Sequence, residues 1–360
     1  MADYCRFSDA DWPKLEHDWN AWWTGDLERP MVVLETHEPR DGVDWGTFDP
    51  FLTQFPPSAP VEDLLDHSGF LAGATHYYAD AYPRWDCNFG AGNVTAFLGA
   101  SWEHNHDYRT TWFHGAPTGT ITEVAVQFDS ANAFWQRILA TTEGAIARWG
   151  RHATIGYADL GGNLDIMAGL RGTQDLLYDL HDAPEEVESL CSQITAAWLR
   201  YYDQLDALVA PTPHGSSSWA PLWAPARTYM LQSDFCYMVG PAAFERFVLP
   251  DLERCCEPVD FPFYHMDGKG QLVHLDMLLS IDKLRGVQWQ PGDGAPPADQ
   301  WPEVLHRIRA GGKLCQIYVD RAGAFRVARE HGGKGFVFSI VEALTDAQAS
   351  EFLEAFRREF

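Results

Sequence analysis

The chain is short of positive charge. Lys and Arg number 26 against 51 Asp and Glu, a formal net charge of −25 over 360 residues. Nucleic acids and anionic membrane surfaces are themselves polyanions, so neither is an expected partner. No apolar run of about 18 residues occurs, and no transmembrane helix is expected. The opening MADYCRFSDADW carries acids and no apolar core, so a signal peptide is not expected either. Cysteine is sparse. The seven thiols are odd in number, scattered and without a CxxC, which excludes four-cysteine zinc patterns. They read as reduced thiols in a cytoplasmic protein, with Cys255 and Cys256 too close in sequence to pair without strain. A GxGxxG after the first strand is also missing, which weakens a dinucleotide-binding reading.

What is present is a core. Hydrophobic residues make up 46%, with 15 Trp, 13 Tyr and 21 Phe, so a disordered chain is excluded. One domain over 1–360 is expected, with a helical extension over 1–30. In that extension Trp12, Leu15, Trp19, Trp22 and Trp23 recur at helical spacing up to Gly25. Pro30 leads into MVVLET, a short buried strand. Residues 37–60 read as loop and 61–82 as a helix or helix pair. Residues 83–130 are rich in glycine, aromatics and histidine, with EVAVQFD as a strand. ANAFWQRILATTEGAIARWG is an amphipathic helix.

From residue 152 strands and helices alternate. ATIGYADLGG is followed by a long helix with Asp182 and Glu185 as its capping pair. PAAFERFVLPDLERCCE is a helix kinked at Pro250. DFPFYHMDG, RGVQWQPGDG, KLCQIYVD and GFVFSIVEA are strands separated by helices, and Thr345 and Gln348 cap the last helix. Such alternation demands crossovers and a parallel sheet, and the uniformly apolar strands imply burial on both faces. The expected fold is α/β: a (β/α)8 TIM barrel builds its active site at the C-terminal strand ends, and a doubly wound sheet would do the same at one switch point.

Polar residues mark those ends. His265 and Asp267 lie two apart on one strand, so their side chains point the same way. They can share a metal, work as acid and base, or simply close the strand as a hydrogen-bonded pair. Asp159 precedes Gly161 and Gly162 and is a catalytic candidate. Gln288 and Gln290 on the next strand, together with Asp234, Trp219 and Trp223, are candidates for substrate binding. Asp234 also suits a helix N-cap. His274 and Asp276 fall on a helix, where such spacing points them apart. His104 and His106 resemble a chelating pair without a third ligand nearby, and His114 has a weaker claim.

Four stretches carry a resemblance: ADLGGNLDIMAGLRGTQDLLYDLHDAPEEVESL, LQSDFCYMVGPAAFERFVLPDLERC, FPFYHMDGKGQLVHLDMLLSI and GKGFVFSIVEALTDAQASEFLEAF. Together they resemble the uroporphyrinogen decarboxylase superfamily over roughly residues 155–356. That superfamily has a (β/α)8 barrel and includes methyltransferases acting on corrinoids. The RQAGR-type motif of the true decarboxylases is missing, since the corresponding strand reads RPMVVLETHEPR. The resemblance is therefore to the methyltransferase-like branch. There a His-x-Cys pair and a later Cys hold zinc, and His265, Asp267 and Glu342 fall at those positions.

Two carboxylates in place of two thiolates make a harder site, suited to zinc and also to Mn²⁺ or Fe²⁺, and to an oxygen or nitrogen substrate rather than a thiol. The resemblance thus implies a divalent metal, a small-molecule substrate and a corrinoid as methyl acceptor or donor. With no DxHxxG signature in this chain, the corrinoid would come free or on a partner protein. A homodimer is compatible with this. A lyase or decarboxylase acting on a small carboxylate or sugar, and a non-catalytic binding barrel, are the alternative readings.

Overall fold

The computed structural model describes residues 7–38, 49–105 and 107–360. Its strands, in chain order, are β1 (Met31–His37), β2 (Thr75–Ala79), β3 (Arg84–Trp85), β4 (Ser101–Asn105), β5 (Thr110–His114) and β6 (Thr154–Gly156). They continue with β7 (Ser216–Ser217), β8 (Thr228–Gln232), β9 (Phe261–Asp267), β10 (Gly286–Gln290), β11 (Leu314–Val319) and β12 (Phe336–Ile340). Seven of them form one sheet in the order β2-β1-β12-β11-β10-β9-β8. Every neighbouring pair is parallel except β1 and β2. A smaller parallel sheet runs β3-β6-β7, and β4 with β5 makes an antiparallel ribbon.

The α/β class holds, with the parallel strands the alternation demanded. A closed barrel is not found: among the described residues no ladder joins the two sheets. At one seam the outer edge of β1 is occupied by antiparallel β2. At the other, β7 is two residues long and Ser216 bridges back to Ala224. The first seam involves a segment read as helix from sequence. The helix Val61–Gly73 stops there because THYYA is β-branched and aromatic and pairs with β1. EVAVQFD, expected as a strand, forms none: Glu123 closes the 3-10 turn Ile121–Glu123, and Val124, Val126 and Phe128 pack on the core. Asp182 ends one helix and does not cap the next, Pro184–Val209, whose N-cap is Ala183.

The N-terminal extension behaves as read. Its helix spans Trp12–Thr24 and ends at Gly25, whose φ of 76° is left-handed. Trp12, Leu15, Trp19, Trp22 and Trp23 are all buried. They pack on Met31, Val33, Met230, Phe263, Leu314 and Val337, toward the N-terminal ends of the parallel strands. The helix therefore plugs the N-terminal end of the parallel strands. Phe263 can fill that layer only because its register partner is Gly286, where a Cβ would come within 2.1 Å of the ring. Arg29 locks the plug, donating to both carboxylate oxygens of Asp80 at 2.7 and 2.8 Å. The C-terminal helix Asp346–Glu359 starts with a capping box between Thr345 and Gln348, as the sequence indicated.

The six described cysteines are buried and free, Cys255 and Cys256 among them. No described helix is long and apolar enough to cross a membrane.

Candidate active site

A cavity of about 810 Å³ is lined from both sheets. Strand β9 brings His265 into it, because the alternation along FPFYHMD turns positions 263, 265 and 267 to the same side. The neighbour β8 pairs Gln232 with His265, so Asp234, two residues further on, comes level with Asp267. Asp234 stands on the 3-10 turn Asp234–Met238. His265 Nε2 is 3.8 Å from Asp267 Oδ2. One ligand-capable atom from each of Asp234, His265 and Asp267 lies within 4.8 Å of the other two. Those are one nitrogen and two carboxylate donors with room on the cavity side, a set that fits a hard or borderline divalent cation.

On the other flank, Gln288 is the register partner of His265 on β10, and its Oε1 faces His265 Nδ1 in hydrogen-bond contact. An amide oxygen only accepts, so it holds a proton on Nδ1, and Nε2 is the ring nitrogen turned toward Asp267. Trp219 meets the His265 ring edge-on, centroids 5.0 Å apart. Burial alone would lower the His265 pKa, but Asp267, Asp234 and Gln288 outweigh it and the net shift is upward. Asp234 is raised by its enclosure, with His265 opposing and Asp267 and Asp159 adding. Its side chain reaches the cavity solvent, which limits that rise.

Asp159 lies beyond β6 in the same cavity. Its Oδ1 accepts from the backbone N–H of Gly161 at 2.8 Å and of Gly92 at 3.2 Å, and Gln232 Nε2 donates at 3.3 Å. Burial nonetheless pushes it up to about 6. The loop sits this close to β8 because residue 162 is glycine; a Cβ there would lie 2.0 Å from the Gln232 carbonyl oxygen.

Three candidates are placed elsewhere. Glu342 accepts from the Arg321 backbone N–H at 2.6 Å and pairs with its guanidinium at 3.0 Å, away from the His265 group. The carboxylate that joins His265 and Asp267 is Asp234 instead. Beyond β12 the chain turns directly into this N-terminal Arg321 contact, which holds the Glu342 carboxyl below its usual range. Trp223 is 2% exposed, donates to the His214 carbonyl and belongs to the N-terminal plug. Gln290 is opposite Asp267 in register and does not line the cavity. His104 and His114 lie on the β4–β5 ribbon, His104 bonded to Thr111 and His114 near Glu103; His106 lies outside the described residues. His274 is buried against Phe244, and Asp276 pairs with Arg307.

The sequence reading missed a second group in the cavity: Glu35, Arg84, Asp86 and Tyr318. Arg84 Nε is 4.0 Å from Glu35 and its Nη1 3.5 Å from Asp86. Asp86 is pushed up to about 6 by burial, with Arg84 opposing and Asp159 adding. The signal was present: an acid inside the apolar run MVVLETH, and Arg84 and Asp86 two apart in RWD.

The chain shares its fold with a methyltransferase from Methanosarcina mazei. The two are 14% identical and superpose with a TM-score of 0.62, over 96% of this chain and 98% of that one. No protein-family model matches the sequence. No curated protein matches it either.

Proposed function

We propose that this chain is a metal-dependent methyltransferase-like enzyme of the uroporphyrinogen decarboxylase superfamily, built on a barrel-like arrangement of its two sheets. It acts on a small oxygen- or nitrogen-containing substrate and passes the methyl group to or from a corrinoid. The observation that carries this reading is the convergence of Asp234, His265 and Asp267 beside one cavity, which Asp234 and His265 line. The shared fold with a methyltransferase supports the reaction class. These three residues would hold a divalent ion, zinc first and Mn²⁺ or Fe²⁺ next. Bound there, the ion supplies Lewis acidity to a substrate oxygen or nitrogen. Gln288 keeps His265 in the tautomer that can bind it. Asp159, raised to about 6, is suited to hold or release a proton beside the substrate near neutral pH.

Decarboxylation of a polycarboxylate is the weaker reading. Arg84 is the one Arg or Lys lining the cavity among the described residues, and Glu35 and Asp86 already engage it. The test has two parts. Metal analysis of the purified protein should find about one divalent ion per chain. Incubation with reduced cobalamin and O- or N-methylated donors should give the methylcobalamin absorbance spectrum. Metal-free protein with full activity on any substrate overturns the metal role, and no methylcobalamin from either donor class overturns methyl transfer.

A further inference from the structure

The cavity is larger than the group around His265 needs, and it does not end there. From Asp159 and His265 it runs past Arg84 and Tyr318, then on to Trp85, Trp149, Tyr77 and Trp12. Its lining comes from β1 and β2 (Glu35, Thr75, Tyr77) and from β3 (Arg84, Trp85), and among the described residues no ladder joins β2 to β3. The cavity thus includes a slot between the described edges of the two sheets. Its two ends differ in chemistry. The inner end is acidic: Asp159, Asp234, Asp86 and Glu35 face one Arg, which two of them already engage, and His265. The outer part is aromatic. Trp85 and Trp149 lie with ring centroids 6.0 Å apart, and Phe7 packs on both Trp12 and Tyr77. Gly69, on the helix Val61–Gly73, leaves the slot wall bare, since a Cβ there meets only the Trp149 ring, at 3.4 Å.

We propose that the slot and the acidic floor together bind an amphiphilic amine, with a cationic nitrogen head beside Asp159 and Asp86 and a flat aromatic body against the exposed side of the Trp85–Trp149 ring pair, whose own planes are tilted by 50°. The carboxylates exceed the cations at the inner end even with a divalent ion on Asp234, His265 and Asp267, because Asp159, Asp86 and Glu35 then still outnumber Arg84. A carboxylate-headed ligand would meet a single Arg and no Lys among the described lining residues, and that Arg84 is already ion-paired to Glu35 and Asp86. The aromatic faces add apolar and ring–ring contact for the body of such a ligand. This names the substrate class of the site, and it rests on the proposed function only in taking that cavity as the active site.

Binding, not turnover, tests it. Calorimetry on the metal-loaded protein would use benzyltrimethylammonium, tetramethylammonium and benzoate as probes. Benzyltrimethylammonium should bind at least about tenfold more tightly than tetramethylammonium, the range an aromatic contact supplies, and benzoate should bind more weakly than either. Trp85→Ala and Gly69→Leu should each remove the aromatic advantage and leave tetramethylammonium unaffected. Gly69→Leu fills the slot from a helix position where leucine favours the fold, so it reads the slot even if a tryptophan variant fails to fold. Asp159→Asn should weaken both cations. Benzoate binding as well as the ammonium probes overturns the proposal. So does an aromatic advantage that survives both slot variants, or no binding of either cation. Failure of methyl transfer with these affinities intact would sink the proposed reaction and leave the amine site standing.

Discussion

His265 and Gln288 stand opposite each other on adjacent parallel strands, and the amide oxygen of Gln288 faces the Nδ1 of the imidazole. The register of β9 on β10 therefore decides which ring nitrogen is left for a ligand. Gln288 is fully buried, so water cannot take its place. Gln288→Ala should lower divalent-metal affinity by about 10–100-fold without changing the number of ions bound. Isothermal titration with Zn²⁺ reads this. An unchanged affinity would show that the tautomer is set by something else.

Asp234 and Glu342 give opposite expectations. Asp234→Ala removes a donor of the His265 group and should weaken metal binding by about 100-fold or more, beyond what a supporting residue costs. Glu342→Gln breaks only the contacts to Arg321 and should leave metal affinity as in the parent. The same titration on both variants decides between the two carboxylates. Loss at Glu342 and none at Asp234 would restore the ligand set that the family resemblance implies.

Asp159 should make stability depend on pH in a particular direction. Burial raises it to about 6, against about 3.9 in an unfolded chain. The folded state then holds the proton more tightly, so stability falls as pH climbs from about 4 through about 6, and the penalty persists above that. Asp159→Asn removes the ionisation while keeping an oxygen to accept from Gly92 and Gly161. The variant should be more stable than the parent by about 1–3 kcal/mol near pH 8 and about equal near pH 4. Urea unfolding at the two pH values measures the difference. A variant destabilised at the higher pH would mean that the carboxylate's hydrogen bonds outweigh its burial.

The plug should be a matter of stability alone. Trp22 is fully buried, against Trp19, Trp23 and Phe263. Trp22→Ala should cost about 3–5 kcal/mol and leave metal affinity of the folded fraction intact, since Trp22 packs toward the N-terminal ends of the parallel strands and the His265 group lies toward their C-terminal ends. Thermal unfolding and metal titration together check this. Metal affinity falling in parallel with stability would couple the two ends.

The elements written in local pattern were legible in the chain. Helical spacing of tryptophans defined Trp12–Thr24, the capping pair Thr345 and Gln348 defined the last helix, and apolar runs defined β9 to β12. His265 and Asp267 were legible as a pair because two-residue alternation on a strand is itself local. What the chain did not carry was which strand lies beside which. The reading of 61–82 as a helix or helix pair failed in its second half because THYYA becomes a strand only by pairing with β1, a long-range contact, and that pairing blocks the edge a closed ring would have used. That Asp234 and not Glu342 lies close to His265 and Asp267 has the same reason. Its approach to Asp267 is set by the register of β8 on β9, while Glu342 meets the N–H of Arg321, the first residue of the helix between β11 and β12. Glu35, Arg84 and Asp86 were three separate polar residues in sequence. They became one group when two sheets turned their strand ends to a common cavity. Periodicity acts over a few residues and can be read along the chain. Register and side-chain convergence are set by hydrogen bonds and packing between segments far apart in sequence, and only the folded structure decides them.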